Sequence, residues 1–243
     1  MSETARMWTE ISFNVAYLIA VWGLVAAMAR RRSTVASDQR TVAELVMWAF
    51  FLLALGDTGH VGFRVLSYAL GDLGLSLTVL GQQIGLVGLG AMATAFTVTL
   101  FYVMMLFVWR ARFRKEFRWF GLSLLAAAVV RIGLMLLPGN QWTSVVPPQP
   151  WSIYRNLPLM LQGLGVAYLI WRDARATRDR TFLWMGVLIL ISYACYIPVI
   201  FFVQQAPLLG MLMIPKTVAY LGIGILAYQD LHGRGATPAA TGG

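Results

Sequence analysis

The chain has 243 residues, of which 59% are hydrophobic and only 12% are charged, and its formal net charge is +9. Soluble globular domains carry about twice that share of charged residues. The composition therefore excludes a water-soluble protein and predicts an integral membrane protein. The single cysteine, Cys195, excludes an intramolecular disulfide.

Seven stretches of the sequence are apolar enough, over about 20 residues each, to cross a bilayer as helices. The stretches are about 8–29, 44–69, 80–109, 118–137, 151–171, 181–203 and 207–228. Because the connections between them are short, we expect one all-α membrane domain over residues 1–230, a bundle of seven transmembrane helices. A Gly/Ala/Thr-rich tail at 231–243 is predicted to be disordered and cytoplasmic.

The basic residues of the connections predict how the bundle is oriented. The connections after the first, third and fifth stretches are rich in Arg, whereas the other side of the membrane has only Arg6. Since short loops rich in Lys and Arg stay in the cytoplasm, the N-terminus is predicted to be extracytoplasmic and the C-terminus cytoplasmic. We expect a multi-pass protein of the cell (plasma or inner) membrane whose basic loops contact membrane lipids, with no nucleic-acid partner.

Four cationic side chains lie in or at the ends of the apolar stretches. They are Arg64, Arg131, Arg155 and Lys216. Asp57 is the only acid clearly buried among them. A charge at bilayer depth costs from about 2.5 kcal/mol to much more unless it is paired or lines a wet cavity, so this surplus of cations calls for an anionic partner.

The polar residues of several stretches are predicted to meet in the outer half of the membrane, given a rise of 1.5 Å per helical residue. In the second stretch, Asp57, His60 and Arg64 follow one another at spacings of three and four residues and line one face of a helix. Beside that face runs a row of three glycines that permits close approach of a neighbouring helix or a ligand. The glycines are Gly56, Gly59 and Gly62.

The predicted ligand site adds polar groups from other stretches and from the long outer connection at 137–151. The predicted ligand-binding residues are Arg64, Arg131, Arg155, Asn156, Lys216, Tyr196, Gln82 and Asn140. Three functions are compatible with this set. The first is binding and translocation of an anionic small molecule or lipid headgroup, with Asp57 and His60 coupling binding to protonation and with no cofactor.

The second hypothesis is an intramembrane enzyme that acts on a lipid headgroup. In that case His60 and Asp57 are the catalytic residues, His60 as general base and Asp57 as the group that orients it, and the arginines stabilise developing negative charge. The third is a seven-helix sensor whose basic loops contact a partner protein. A metal site is not expected, because His60 and Asp57 are fewer ligands than the three or four that a zinc site requires.

Two known families share parts of this plan. Seven spans, an exported N-terminus and Lys216 in the last span resemble the microbial rhodopsins, in which such a lysine carries retinal as a Schiff base, and the stretch Tyr196-Ile197-Pro198 is similar as well. That family has an acidic counterion and an arginine in its third helix, whereas residues 82–109 contain no charge, so Asp57 would have to act as the counterion. The PQ-loop or SWEET type of transporter has the same number of spans, but the chain shows no internal repeat.

Overall fold

The structure, a computed structural model, describes residues 3–71, 74–79, 81–144 and 148–233. This part of the chain forms an all-helical bundle with seven α-helices. They are α1 (Glu3–Arg30), α2 (Arg40–Ala69), α3 (Leu86–Phe113), α4 (Trp119–Met135), α5 (Trp151–Thr177), α6 (Arg180–Phe202) and α7 (Met213–His232).

Five helical segments within the described ranges are long and apolar enough to cross a membrane. They are Ile11–Arg30, Arg40–Ala69, Leu86–Phe113, Arg180–Phe202 and Pro207–His232. The chain is therefore a multi-pass membrane protein by the length and composition of its helices. Of the other two helices, α4 has only 17 residues, and α5 is less apolar because it carries buried polar side chains such as Arg155, Asn156 and Gln162.

A short β-hairpin replaces the start of the third predicted span. Strands β1 (Ser76–Val79) and β2 (Gln82–Gly85) pair antiparallel, with Val79 opposite Gln82. The prediction that helix begins at about 80 is wrong, because Gly81 has a φ of +78° and makes a tight turn that a helix does not contain. Gln82 thus lies in a strand, and its side chain is outside the part that the structure describes.

The bounds of the last helix also differ from the prediction. Residues Pro207–Leu212 form a 3₁₀ helix, and α7 begins only at Met213. At its other end α7 includes Leu231 and His232, which are both buried, so the disordered tail predicted from 231 does not include these two residues. The remainder of that predicted tail, 234–243, lies outside the described residues.

The helices contact one another in a ring that follows chain order. Each helix packs against the next, α1 closes the ring against α7, and α3 also contacts α5. We call the end that carries the Arg-rich connections the basic end, and the end that carries the hairpin and residues 137–144 and 148–150 the hairpin end.

Two glycines of the predicted row allow α2 and α3 to approach closely. A Cβ at Gly56 would collide with the Thr97 side chain, and a Cβ at Gly59 would lie 3.2 Å from the Ala93 side chain. From the other helix, a Cβ at Gly90 would lie 2.9 Å from the backbone oxygen of Gly59. Gly62 faces open space. The close crossing fixes the position of Asp57, which follows Gly56 directly.

Charged side chains at the basic end tie the helices together. Arg112 of α3 bridges Asp179, at the start of α6, and Asp230 of α7, at 2.9 and 3.0 Å. Nearby, Asp173 of α5 accepts a 2.8 Å hydrogen bond from the Trp109 indole of α3 and bonds of 3.0 and 2.9 Å from its neighbour Arg172. Burial alone would raise the pKa of the Asp173 carboxyl, but the hydrogen bonds from Arg172 and Trp109 hold that pKa below its ordinary value.

We expect Asp173→Asn to lower the unfolding midpoint at pH 7 and to matter less in acid. Because the native state lowers the pKa of Asp173, its stabilisation is complete above the unfolded-state value of about 4 and is lost as the pH falls through the native value. The measurement is thermal unfolding in detergent from pH 7 to pH 3, with the exposed Asp38→Asn as control. A difference between Asp173→Asn and wild type that stays constant over this range would contradict the assignment.

Candidate functional site

Arg131 of α4 is the most deeply buried charged residue among those that the structure describes, with 2% of its surface exposed. Its Nε donates to the Arg155 carbonyl at 3.0 Å, and its Nη1 donates to the Ala95 carbonyl at 3.0 Å and to Thr99 Oγ1 at 2.6 Å. A single guanidinium therefore joins α3, α4 and α5. These acceptors are neutral, and Arg131 makes no salt bridge within the described ranges.

Arg155 and Asn156, at the start of α5, continue the site towards the hairpin end. The Arg155 guanidinium lies 4.5 Å from the centre of the Trp142 ring, and its Nη1 donates to Asn140 Oδ1 at 3.3 Å. Asn156 Oδ1 accepts from Arg131 Nη2 at 3.5 Å and from the Tyr196 hydroxyl at 3.3 Å. Asn140 and Trp142 of the segment 137–144 thus contact Arg155, and the Trp142 ring stacks on its guanidinium.

Lys216 of α7 reaches the same place from the opposite side of the ring. Its Nζ lies 4.5 Å from the centre of the Tyr196 ring and 5.4 Å from that of Tyr220. Lys216 makes no hydrogen bond or salt bridge in the part of the chain that the structure describes, and it is only partly buried. It is near enough to Arg131 for the two charges to repel each other. We call Arg131, Arg155 and Lys216, which surround Tyr196, the cation cluster.

Asp57 lies near Lys216 of the cation cluster without being bonded to it. Its Oδ2 accepts a 3.0 Å hydrogen bond from the Tyr17 hydroxyl of α1, and its Oδ1 accepts a 2.9 Å bond from Thr94 of α3. The carboxylate is close enough to Lys216 for electrostatic attraction, but the two form no salt bridge. One acid held by two hydroxyl groups therefore lies within electrostatic reach of Lys216.

His60 and Arg64 lie apart from these contacts. His60 does not bond to Asp57, and its Nδ1 is buried with no hydrogen-bond partner among the described residues. Arg64, one turn further along α2, is close to His60 and makes no hydrogen bond or salt bridge in the described ranges. The acid–base pair that the enzyme hypothesis requires is not formed in this structure.

The structure thus brings together most of the predicted ligand-binding residues. Those in mutual contact or linked through one neighbour are Arg131, Arg155, Asn156, Asn140, Tyr196 and Lys216. Within the described residues, no group of three or more His, Cys, Asp or Glu side chains could hold a metal ion.

Sequence reasoning missed the hydroxyl groups that position the charges. Tyr17 and Thr94 hold Asp57, Thr99 holds Arg131, and the Tyr220 hydroxyl lies 2.6 Å from that of Tyr102 beneath the cation cluster. The signal available was the presence of Thr residues in an otherwise apolar helix, since such residues bond across helices in membranes. Their partners could not be named because they lie on other helices.

Comparisons of the chain with models of protein families, with curated protein sequences and with solved structures find no match.

We expect Arg131→Gln to lower the free energy of unfolding by about 2–4 kcal/mol, because Thr99 and two carbonyl groups lose a buried donor. Thermal or denaturant unfolding in detergent measures the change. Arg64→Gln is the matched control, since Arg64 makes no hydrogen bond among the described residues, and it should leave stability near the wild-type value. Equal stability of the two variants would show that Arg131 does not hold the three helices together.

Proposed function

We propose that the chain spans the cell membrane seven times, with its N-terminus extracytoplasmic and its C-terminus cytoplasmic, and that it binds and translocates an anionic small molecule or lipid headgroup. The ligand lies at the cation cluster in the outer half of the bilayer. The observation that carries this proposal is that Arg131, Arg155 and Lys216 surround Tyr196 with no salt bridge among the described residues. A buried positive charge without a counterion is costly, and a bound anion offsets that cost.

The three cations have different roles in this proposal. Most donors of Arg131 are used by neutral acceptors of α3 and α5, so Arg131 contributes charge and holds the Arg155 backbone. Among the described residues, Arg155 uses only Nη1 in a side-chain hydrogen bond, and the Lys216 ammonium uses none of its donors. We therefore assign the direct contacts to Arg155 and Lys216, which offer hydrogen-bond donors to a carboxylate or phosphate.

Protonation of Asp57 and His60 would couple translocation to a proton. Among the described acids, Asp57 is the one whose charge acts on Lys216. A bound anion and Asp57 would therefore compete for the same ammonium group. Binding is favoured over acid–base catalysis, because the oxygens of Asp57 are engaged by Tyr17 and Thr94 and His60 has no carboxylate to orient it.

We expect purified wild-type protein to bind glycerol 3-phosphate, a soluble anion that carries a phosphate headgroup, in isothermal titration calorimetry. Arg155→Gln and Lys216→Gln should each weaken binding at least tenfold, because each removes one charged hydrogen bond worth about 1.5–3 kcal/mol.

The control for that titration is Arg118→Gln, which removes an exposed charge at the basic end and should not alter binding. Equal affinity of wild type and Arg155→Gln would contradict the proposed site. Uptake of labelled glycerol 3-phosphate into proteoliposomes then separates translocation from binding alone.

A second candidate is a retinal protein, and the surroundings of Lys216 favour it. The amine lies near two tyrosine rings, has no salt bridge in the described part of the chain, and is within electrostatic reach of Asp57, which would act as the counterion of the imine. Condensation of this amine with the retinal aldehyde would form an imine and release water. Addition of all-trans-retinal should then give a visible absorption band in wild type that Lys216→Gln lacks; a colourless wild type contradicts this candidate.

A further inference from the structure

An apolar groove runs along the outer surface of the bundle between α4 and α5. Its volume is about 640 Å³, which is within the range of about 300–1,000 Å³ that is typical of small-molecule sites. Its lining includes Ala126, Val130 and Leu134 from α4 and Tyr154, Leu157 and Leu161 from α5. From Ala126 to Leu134 the groove follows α4 for about 12 Å, so it suits an extended chain better than a compact ligand.

The groove and the cation cluster lie on two faces of the same helix pair. Val130 and Tyr154 line the groove, and the residues that follow them in sequence are Arg131 and Arg155. Arg131 of α4 donates a hydrogen bond to the Arg155 carbonyl of α5. The two helices that form the groove are therefore fixed relative to each other at the level of the cation cluster.

One side chain connects the hairpin end of the groove to the cation cluster. Asn140 Nδ2 donates to the carbonyl of Leu134, a lining residue, at 2.6 Å, and Asn140 Oδ1 accepts from Arg155 Nη1 at 3.3 Å. A headgroup at this end of the groove is thus one side chain away from the Arg155 guanidinium, whose Nε and Nη2 make no hydrogen bond among the described residues.

We propose that the groove holds an acyl chain of an anionic phospholipid whose phosphate binds Arg155. This inference rests on the proposed function and narrows its ligand to a lipid. Charge complementarity selects the anionic headgroup, because Arg155 and its neighbour Arg131 have no salt bridge within the described ranges. A free anion would make no use of the groove, whereas one lipid can place its chain in the groove and its charge at Arg155.

The test is native mass spectrometry of the protein with phosphatidylglycerol and with phosphatidylcholine of the same chains. Wild type should prefer phosphatidylglycerol at least tenfold. Ala126→Trp places a large ring at an exposed position in the groove and should reduce phosphatidylglycerol binding at least tenfold. Val129→Trp is the matched control, because Val129 is 72% exposed on the same helix and does not line the groove, and it should bind like wild type.

The outcomes separate this inference from the function on which it rests. If Ala126→Trp binds phosphatidylglycerol as tightly as wild type does, the acyl chain does not lie in the groove. The same conclusion follows if Val129→Trp loses as much phosphatidylglycerol binding as Ala126→Trp. If Ala126→Trp loses the lipid but binds glycerol 3-phosphate as wild type does, the groove and the cation cluster are both supported. If Arg155→Gln keeps the full preference for phosphatidylglycerol, the lipid phosphate does not bind at Arg155, and the proposed position of the headgroup is wrong.

Discussion

The hydrogen bonds of the Arg131 guanidinium are the constraint on which the rest of the site depends. They join three helices at one point, and the Arg155 carbonyl is among their acceptors, so the position of one arginine sets the position of the next. Neutral acceptors provide hydrogen bonds for the N–H donors of a guanidinium but do not neutralise its charge. The bundle therefore gains rigidity at this point and keeps a positive potential in a region of low dielectric constant.

That potential explains why the surrounding groups are arranged as they are. The Trp142 ring faces Arg155, and the Tyr196 ring faces Lys216. Aromatic faces stabilise cations without cancelling their charge. Asp57 is held back from Lys216 by two hydroxyl groups. At the basic end, by contrast, Arg112 has two carboxylate partners. Among the described residues, the chain thus pairs Arg112 with carboxylates, whereas the three cations of the cation cluster make no salt bridge.

The sequence was sufficient to predict a helical membrane protein and most of the residues that meet around Tyr196. The length of an apolar stretch and the charged residues within it depend only on local composition, so a single sequence is enough to identify both. The hairpin formed by strands β1 and β2 was not predicted, because hydropathy alone does not distinguish short apolar strands beside glycines from part of a membrane-spanning helix. Contacts such as that of Asp57 with Tyr17 depend on how distant helices pack, which a single sequence does not specify.

We propose that one anion contacts both Arg155 and Lys216. An experimental density map of the wild-type protein in nanodiscs rich in phosphatidylglycerol tests it most directly. We expect density for an anionic group within hydrogen-bond distance of Arg155 and Lys216, with Asp57 still bonded to Tyr17 and Thr94. A map in which Asp57 forms a salt bridge with Lys216 and no density contacts Arg155 would contradict it.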